Sequence, residues 1–419
     1  MNITGIKGMN DILPGEVETW QFLEEKARQV FSAFGYREIR VPVVEKTELF
    51  CRSIGETTDI VEKEMYTFAD KGGTSMTLRP EGTAPVIRAF IEHKLHALDP
   101  VTKLYYLGAM FRHERPQKGR YRQFHQIGAE VIGLDDPKID AQLLAMLSHF
   151  FQTAGIDGIT LQVNSLGCPE CRPAYRHALL AFLNDRLAQL CADCQRRAVT
   201  NPLRALDCKV PGCIEATVGA PAVIDHLCAG CSTHFESLRG HLIDLDVPFA
   251  INPRMVRGLD YYTKTTFEMV TDRLGAQSAV AAGGRYDRLV ADLGGPPLPG
   301  IGFAMGVERL ALLLGSRDDA APRPALFIAT LGADAERFGF RLLTCLQRQG
   351  IYAEMEYAGK SLKAQLRRAD KFGSLNVLIL GGDELARGVA QLRDMAAGTQ
   401  EEVPLADIEH LVRGFSRPA

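Results

Sequence analysis

Five cations fall within eleven residues of the stretch FRHERPQKGRYR at 111–122: Arg112, Arg115, Lys118, Arg120 and Arg122. Such a group repels itself unless something anionic sits among it. Arginine is permanently charged and presents a planar fork that matches phosphate and carboxylate oxygens, so the cluster suits a nucleotide triphosphate. A solvated basic hairpin tip is the plainer reading of the same residues. Another arginine, Arg309, falls in the first helical turn of GIGFAMGVERLALLL, where a cation among apolar residues is costly unless an anion meets it. The glycines at 300, 302 and 306 miss the spacing of a dinucleotide fingerprint and instead permit close approach of backbone to a ligand.

Eight of the ten cysteines lie in one segment: Cys168, Cys171, Cys191, Cys194, Cys208, Cys213, Cys228 and Cys231. CPEC, CADC and CAGC have the spacing of thiolate zinc ligands. One straight helix over 173–190 would hold the first two pairs roughly 27 Å apart, too far to share a tetrahedral site. Each pair then needs Cys208 with Cys213, or Cys228 with Cys231. A structural zinc is one reading; reduced, partly buried thiols are the other. Near the C-terminus Lys360, Lys363, Arg367 and Lys371 give a helix a basic stripe opposite Leu362 and Leu366, either a solvated face or a nucleic-acid contact.

These residues need elements to position them. A chain of 419 residues is expected to form two or three domains, and 24% charged with 46% hydrophobic residues is ordinary for a globular protein. The net charge of -3 argues against coating nucleic acid through bulk charge, so any anionic partner must be met locally. No run of about 20 apolar residues exists and MNITGIKGMNDILPGE lacks a secretory pattern, which points to a cytoplasmic protein with no membrane span and no disulfide framework.

The spacing of Trp20, Leu23, Ala27, Val30 and Phe34 predicts a helix over 15–34, ended by Gly35. REIRVPVVE reads as a strand, but Pro42 removes a donor and confines it to a sheet edge or a subunit interface. KLYYLGAMFRHE and RQFHQIGAEVIG flank the basic loop like hairpin arms. Period two places Phe124, Gln126, Gly128 and Glu130 on one face, with Arg112 and Glu114 on the first arm, as the wall of a site. His125, Ile127, Ala129 and Val131 then face a core. The cysteine-rich stretch 167–240 reads as a helical insertion. GSRDDAAPRP reads as a linker to a small α/β domain in which strands and helices alternate and which closes with a final strand and helix.

Five motifs together resemble the histidyl-tRNA synthetase family of class II aminoacyl-tRNA synthetases. GYREIRVPVVEKTELF resembles the class's first motif, with Pro42 at the subunit interface; FRHERPQKGRYRQF resembles the second and GFAMGVER the third. RGLDYY at 257–262 and GGRYD at 283–287 resemble signatures of the histidine enzyme. The resemblance implies an α+β fold: a class II antiparallel sheet flanked by helices (1–166 and 241–318), interrupted by the inserted mainly helical domain (167–240) and followed by an α/β anticodon-binding domain (323–419).

By resemblance, Arg112 and Arg257 act catalytically at the α-phosphate, and Arg120 and Arg309 hold the outer phosphates. Phe124 and Glu114 flank the adenine. Glu81 and Thr83 of RPEGT, with Gln126, bind the α-amino end of histidine, while Glu130, Tyr262 and Tyr286 form the side-chain pocket with Arg257 nearby. Arg115 and Gln117 face the acceptor end of tRNA. The implied partners are tRNA(His), L-histidine, ATP with Mg2+, and a second copy in a homodimer. A rival from another class is the catalytically silent synthetase-like regulatory subunit of ATP phosphoribosyltransferase, which typically lacks the C-terminal domain and disturbs the ATP-binding arginines; both are intact here.

Overall fold

The computed structural model describes residues 3–55, 58–206, 208–256, 261–275, 278–315 and 322–415. The chain divides into two compact units, Met1–Arg317 and Asp318–Ala419, with the boundary inside GSRDDAAPRP.

In the first unit the chain runs through α1 (Val17–Ala33), β1 (Arg37–Glu38), β2 (Val44–Lys46), α2 (Thr47–Ile54), β3 (Tyr66–Ala69), β4 (Ser75–Leu78), α3 (Thr83–Glu92), β5 (Thr102–Phe111) and β6 (Gln123–Ile132). It continues with α4 (Pro137–Thr153), β7 (Thr160–Ser165), α5 (Arg172–Asn184), α6 (Ala192–Thr200), α7 (Pro211–Ala216), α8 (Ala229–Asp244) and β8 (Phe249–Ile251). It ends with β9 (Thr263–Val270), β10 (Ala279–Arg285), α9 (Leu289–Asp292), β11 (Gly300–Gly306) and α10 (Val307–Leu314). Eight strands form one sheet in the order β1-β5-β6-β11-β10-β9-β7-β8. Its interior pairs are antiparallel, and only the two edge pairs, β1 with β5 and β7 with β8, are parallel.

The two sheet faces differ in kind. Ile127, Ala129 and Val131 of β6 point with Phe303 of β11 and Phe267 of β9 into a core closed by α1, α4, α8 and α10, through residues such as Phe31, Phe150, Leu238 and Leu310. Burying this face is what fixes the strand register, because a one-residue slip would turn every apolar side chain to the other side. The opposite face carries the rows Glu130, Gly302, Gly284 and Gly128, Ala304, Ala282, aligned across β6, β11 and β10. Small residues in the middle of that face leave room above the sheet.

Several elements depart from their sequence reading for physical reasons. The strand expected in REIRVPVVE is split around Pro42, which is exposed together with Val43: Arg37–Glu38 pairs at the edge of the large sheet, and Val44–Glu45 belong to β2, which pairs with β4 in a separate three-stranded sheet. Gly35 ends α1 with φ +84°. The helix expected over 173–190 stops at Asn184, and a single 3-10 turn follows. α8 begins within the cysteine-rich stretch and runs past its expected end at 240, and its Phe235, Leu238 and Leu242 pack in the main core. β11 passes into α10 without an intervening turn.

The second unit contains β12 (Leu326–Thr330), α11 (Ala333–Arg348), β13 (Ala353–Met355), α12 (Leu362–Lys371), β14 (Asn376–Leu380), α13 (Gly382–Arg387), β15 (Val389–Asp394), β16 (Gln400–Pro404) and α14 (Ile408–Phe415). Its sheet order is β13-β12-β14-β15-β16, parallel over the first three strands and antiparallel over the last two. An antiparallel β15–β16 hairpin and an additional short helix therefore stand where one strand was expected. Lys363, Arg367 and Lys371 lie exposed on α12, while Leu362 and Leu366 pack inward; Lys360 precedes the helix. Among the described residues no helix is long and apolar enough to cross a membrane.

Candidate active site

A cleft of about 270 Å³ opens on the small-residue face of the large sheet, between the β5–β6 hairpin, β10, β11 and the start of α3. Glu81, Thr83, Arg112, Glu114, Arg120, Phe124, Gln126, Tyr262, Tyr286 and Arg309 all line it. Arg257 lies outside the described residues. Arg115 and Gln117 do not line the cleft; they are exposed on the hairpin loop, which a bridge between Gln117 and Arg120 closes.

The cationic end is built by the hairpin and by α10. Arg112 lies over the Phe124 ring at 5.2 Å from its centroid, and its Nε donates to the Pro80 carbonyl at 2.9 Å. Arg120 pairs with Glu114 at 2.5 Å. Arg309 donates through Nε to the Gly119 carbonyl at 3.1 Å and through a second nitrogen to Ala279. Both of these hydrogen bonds go to neutral backbone carbonyls. Burial, then the neighbouring Arg120 and Arg112, push its pKa down, offset in part by Glu114 and Glu308. Three guanidiniums share the cleft with Glu114, so an anion entering there relieves mutual repulsion. Glu308, beside Arg309, accepts the His125 backbone N–H at 2.8 Å, tying α10 to β6 where β11 has ended.

The other end is lined with acceptors. Buried Glu81 accepts the N–H groups of Thr83 at 2.7 Å and Ala84 at 2.8 Å, satisfying donors at the open start of α3. Burial raises its pKa, against those bonds and Arg112. The Gln126 side-chain oxygen is buried in the cleft wall without a hydrogen-bond partner. Glu130 is fully buried beneath the floor rather than lining it. Its carboxylate accepts from Thr83 Oγ1 at 2.7 Å and from the Tyr286 hydroxyl at 2.6 Å. Burial pushes the Glu130 pKa up to about 8, while the two hydroxyls oppose that shift and Glu81 reinforces it.

Gly306 lines the cleft, while Gly300 and Gly302 serve a nearer purpose than approach to a ligand. A Cβ on Gly302 would stand 1.7 Å from Glu130 Oε2, and one on Gly300 would stand 2.2 Å from the Tyr286 ring. They make room for the pocket's own side chains.

Other supports were not singled out in the sequence. Arg79 is buried and straps the RPEGT turn to β5, donating to the Ala109 carbonyl at 2.8 Å and the Val41 carbonyl at 2.9 Å. Tyr106 sits between Gly82 and Gly128 with its hydroxyl unpartnered. The Tyr261 ring packs tilted against that of Tyr262 with centroids 4.7 Å apart. Behind Tyr286, the fully buried Arg285 bonds Asp140, Asp287 at 3.0 Å and the Leu134 carbonyl at 2.6 Å. Arg285 is in GGRYD, so the motif itself was the signal; what was missing was the inward partner, Asp140, on another element.

The family profile described as Histidyl-tRNA synthetase matches residues 8–310, and one described as Anticodon binding domain matches residues 326–414. The chain is 67% identical over 409 residues to the histidine–tRNA ligase of Syntrophotalea carbinolica, covering 98% of each. The chain belongs to the histidyl-tRNA synthetase family. Another histidyl-tRNA synthetase relative, the histidine–tRNA ligase of Geobacter metallireducens, is 67% identical over 96% of this chain and 97% of that one. Among solved structures, the apo histidyl-tRNA synthetase of S. aureus superposes with a TM-score of 0.83 at 36% identity, covering 98% of this chain and 100% of that one. An ATP phosphoribosyltransferase regulatory subunit/histidyl-tRNA synthetase from Bacillus halodurans C reaches a TM-score of 0.66 over 91% of this chain, at 19% identity, and so shares the fold alone.

Proposed function

We infer that this protein is a histidine–tRNA ligase, which activates L-histidine with ATP and transfers it to tRNA. The observation that carries the reading is one cleft lined at one end by Arg112, Arg120 and Arg309 and at the other by Glu81, Thr83, Gln126, Tyr262 and Tyr286. ATP enters as its magnesium complex. Arg120 and Arg309 hold the outer phosphates, Arg112 and Arg257 meet the α-phosphate, and the adenine lies between Phe124 and Glu114.

The reaction needs no protein nucleophile. The histidine carboxylate attacks the α-phosphorus in line, pyrophosphate leaves, and a terminal ribose hydroxyl of tRNA then attacks the acyl carbon and releases AMP. Catalysis therefore rests on positioning and on fixed positive charge aimed at the phosphoryl oxygens as their charge develops. The α-ammonium of histidine meets the Glu81 carboxylate and the Gln126 oxygen, an acceptor that has no partner in the protein.

Neutral imidazole carries one N–H donor and one bare nitrogen. An ionised Glu130 accepts hydrogen bonds from the hydroxyls of both Thr83 and Tyr286 and leaves their oxygens as acceptors for the imidazole N–H, while Tyr262 supplies the donor. Arg115 and Gln117, exposed on the loop, face the tRNA acceptor end, and α12 offers its basic stripe to the anticodon region. In this reading residues 1–166 and 241–318 form the catalytic domain, 167–240 an insertion and 323–419 the anticodon-binding domain. The exposed Pro42 and Val43 beside the β1 edge support a homodimer, and the setting is cytoplasmic. Charging of total tRNA with labelled histidine and ATP tests the function. Histidine should be esterified and no other amino acid; charging with another amino acid would defeat the reading.

A further inference from the structure

We infer that the cysteine-rich segment holds two separate, closed, four-thiolate zinc sites: Cys168, Cys171, Cys228 and Cys231 form one, and Cys191, Cys194, Cys208 and Cys213 the other. Within each group all the sulfurs lie within 4.8 Å of one another. A tetrahedral zinc with Zn–S bonds of about 2.3 Å places its sulfurs about 3.8 Å apart. The separations here are 3.5 Å for Cys168 to Cys171, 3.8 Å for Cys168 to Cys228 and 4.0 Å for Cys191 to Cys208. Disulfides need sulfurs about 2.05 Å apart, and these thiols are free.

The local fold repeats the same device. Cys171, Cys191 and Cys228 each stand immediately before α5, α6 and α8, so Cys194 and Cys231 fall in the first turn of α6 and α8. Backbone N–H groups already point at sulfur: Cys228 N donates to Cys171 Sγ at 3.1 Å, and Cys191 N to Cys213 Sγ at 3.1 Å. Apolar burial of reduced thiols explains none of this: it requires neither groups of four nor comparable sulfur separations, and half of each group is incompletely buried. Four protein ligands leave no open position, so both sites are structural rather than catalytic.

The first site is also joined to the cleft. Arg172, adjacent to Cys171, donates to the Tyr262 carbonyl, and Lys264 N donates to the Gly167 carbonyl at 2.8 Å. In the second, Cys194 and Cys213 pack in the same apolar cluster as Tyr261, Tyr262 and Tyr286. Loss of the first metal should therefore raise the KM for histidine more than the KM for ATP. That consequence rests on the function proposed above; the metal content does not.

The test is elemental analysis of full-length protein purified without chelator, together with the double variants Cys228→Ser/Cys231→Ser and Cys208→Ser/Cys213→Ser. About two zinc ions per chain are expected in the wild type, and a loss of about one in each variant. Cobalt-grown wild-type protein, which needs no variant to fold, should show the intense sulfur-to-cobalt charge-transfer bands of tetrahedral thiolate sites. Zinc near zero with freely titrating thiols would overturn the proposal, as would stoichiometric iron in its place. Zinc present with histidine kinetics unchanged in the Cys228→Ser/Cys231→Ser variant would remove only the coupling to the cleft.

Discussion

Replacing Glu130 by Gln keeps the shape of the side chain and removes its charge. In the free protein Glu130 has a pKa of about 8, so at pH 7 it is mostly protonated. A protonated Glu130 must donate to Thr83 or Tyr286, and one of those oxygens then no longer waits as an acceptor. Glutamine, whose amide also donates, mimics that state. Binding imidazole through the ionised form costs about one pKa unit at pH 7, or about 1.4 kcal/mol. The charge-assisted bond it gains is worth about 1.5 to 3 kcal/mol. The variant should therefore lose up to about tenfold in kcat/KM for histidine at pH 7, and roughly tenfold to a hundredfold at pH 9, where the wild type has no proton left to displace. ATP binding without histidine should barely change. Stability gives an independent check. Because the folded pKa is raised, the stability from protonated Glu130 is present below the unfolded value of about 4.5 and is lost as pH rises through about 8. The variant's Tm relative to wild type should accordingly climb between pH 5 and pH 9. A pH-independent loss in kcat/KM, no loss, or an equal loss of ATP binding would rule out an ionised Glu130 behind the imidazole site.

Arg309→Ala removes fixed positive charge from the cleft and should slow histidine activation by about a hundredfold to a thousandfold in kcat, measured by pyrophosphate exchange, with little change in the KM for histidine. Gly302→Ala forces a Cβ to 1.7 Å from Glu130 Oε2. It should cost about 1 to 3 kcal/mol in denaturant unfolding and raise the KM for histidine more than that for ATP. Converting Lys363, Arg367 and Lys371 to Gln should leave histidine activation intact. It should weaken tRNA binding and flatten its salt dependence by about one unit of slope for each phosphate that the helix no longer neutralises.

The hairpin face was legible because period two separates Ile127, Ala129 and Val131 from Gln126, Gly128 and Glu130, and burial of the first set leaves the strand no other register. Periodicity assigns a face, not a depth. It could not show that Glu130 lies under the floor, since that follows from Gly302 on a strand some 170 residues away. For the cysteines, helix length alone separated CPEC from CADC, although α5 proved shorter than assumed. Which later pair joined which depended on where α7 and α8 pack, and no local pattern encodes that. Tyr106 and Arg79 escaped notice for the same reason, as their roles come from contacts with Gly82, Gly128 and Ala109 on other elements. The β15–β16 hairpin was missed because β16 reads QEEVP, a mostly exposed polar edge strand without alternation.

Activation of histidine with ATP in this cleft is tested directly by exchange of labelled pyrophosphate into ATP, run with each amino acid in turn and without tRNA. Exchange should depend on histidine and be abolished or strongly slowed by Arg309→Ala. Folded protein that supports no exchange, or that exchanges with a different amino acid, would contradict it.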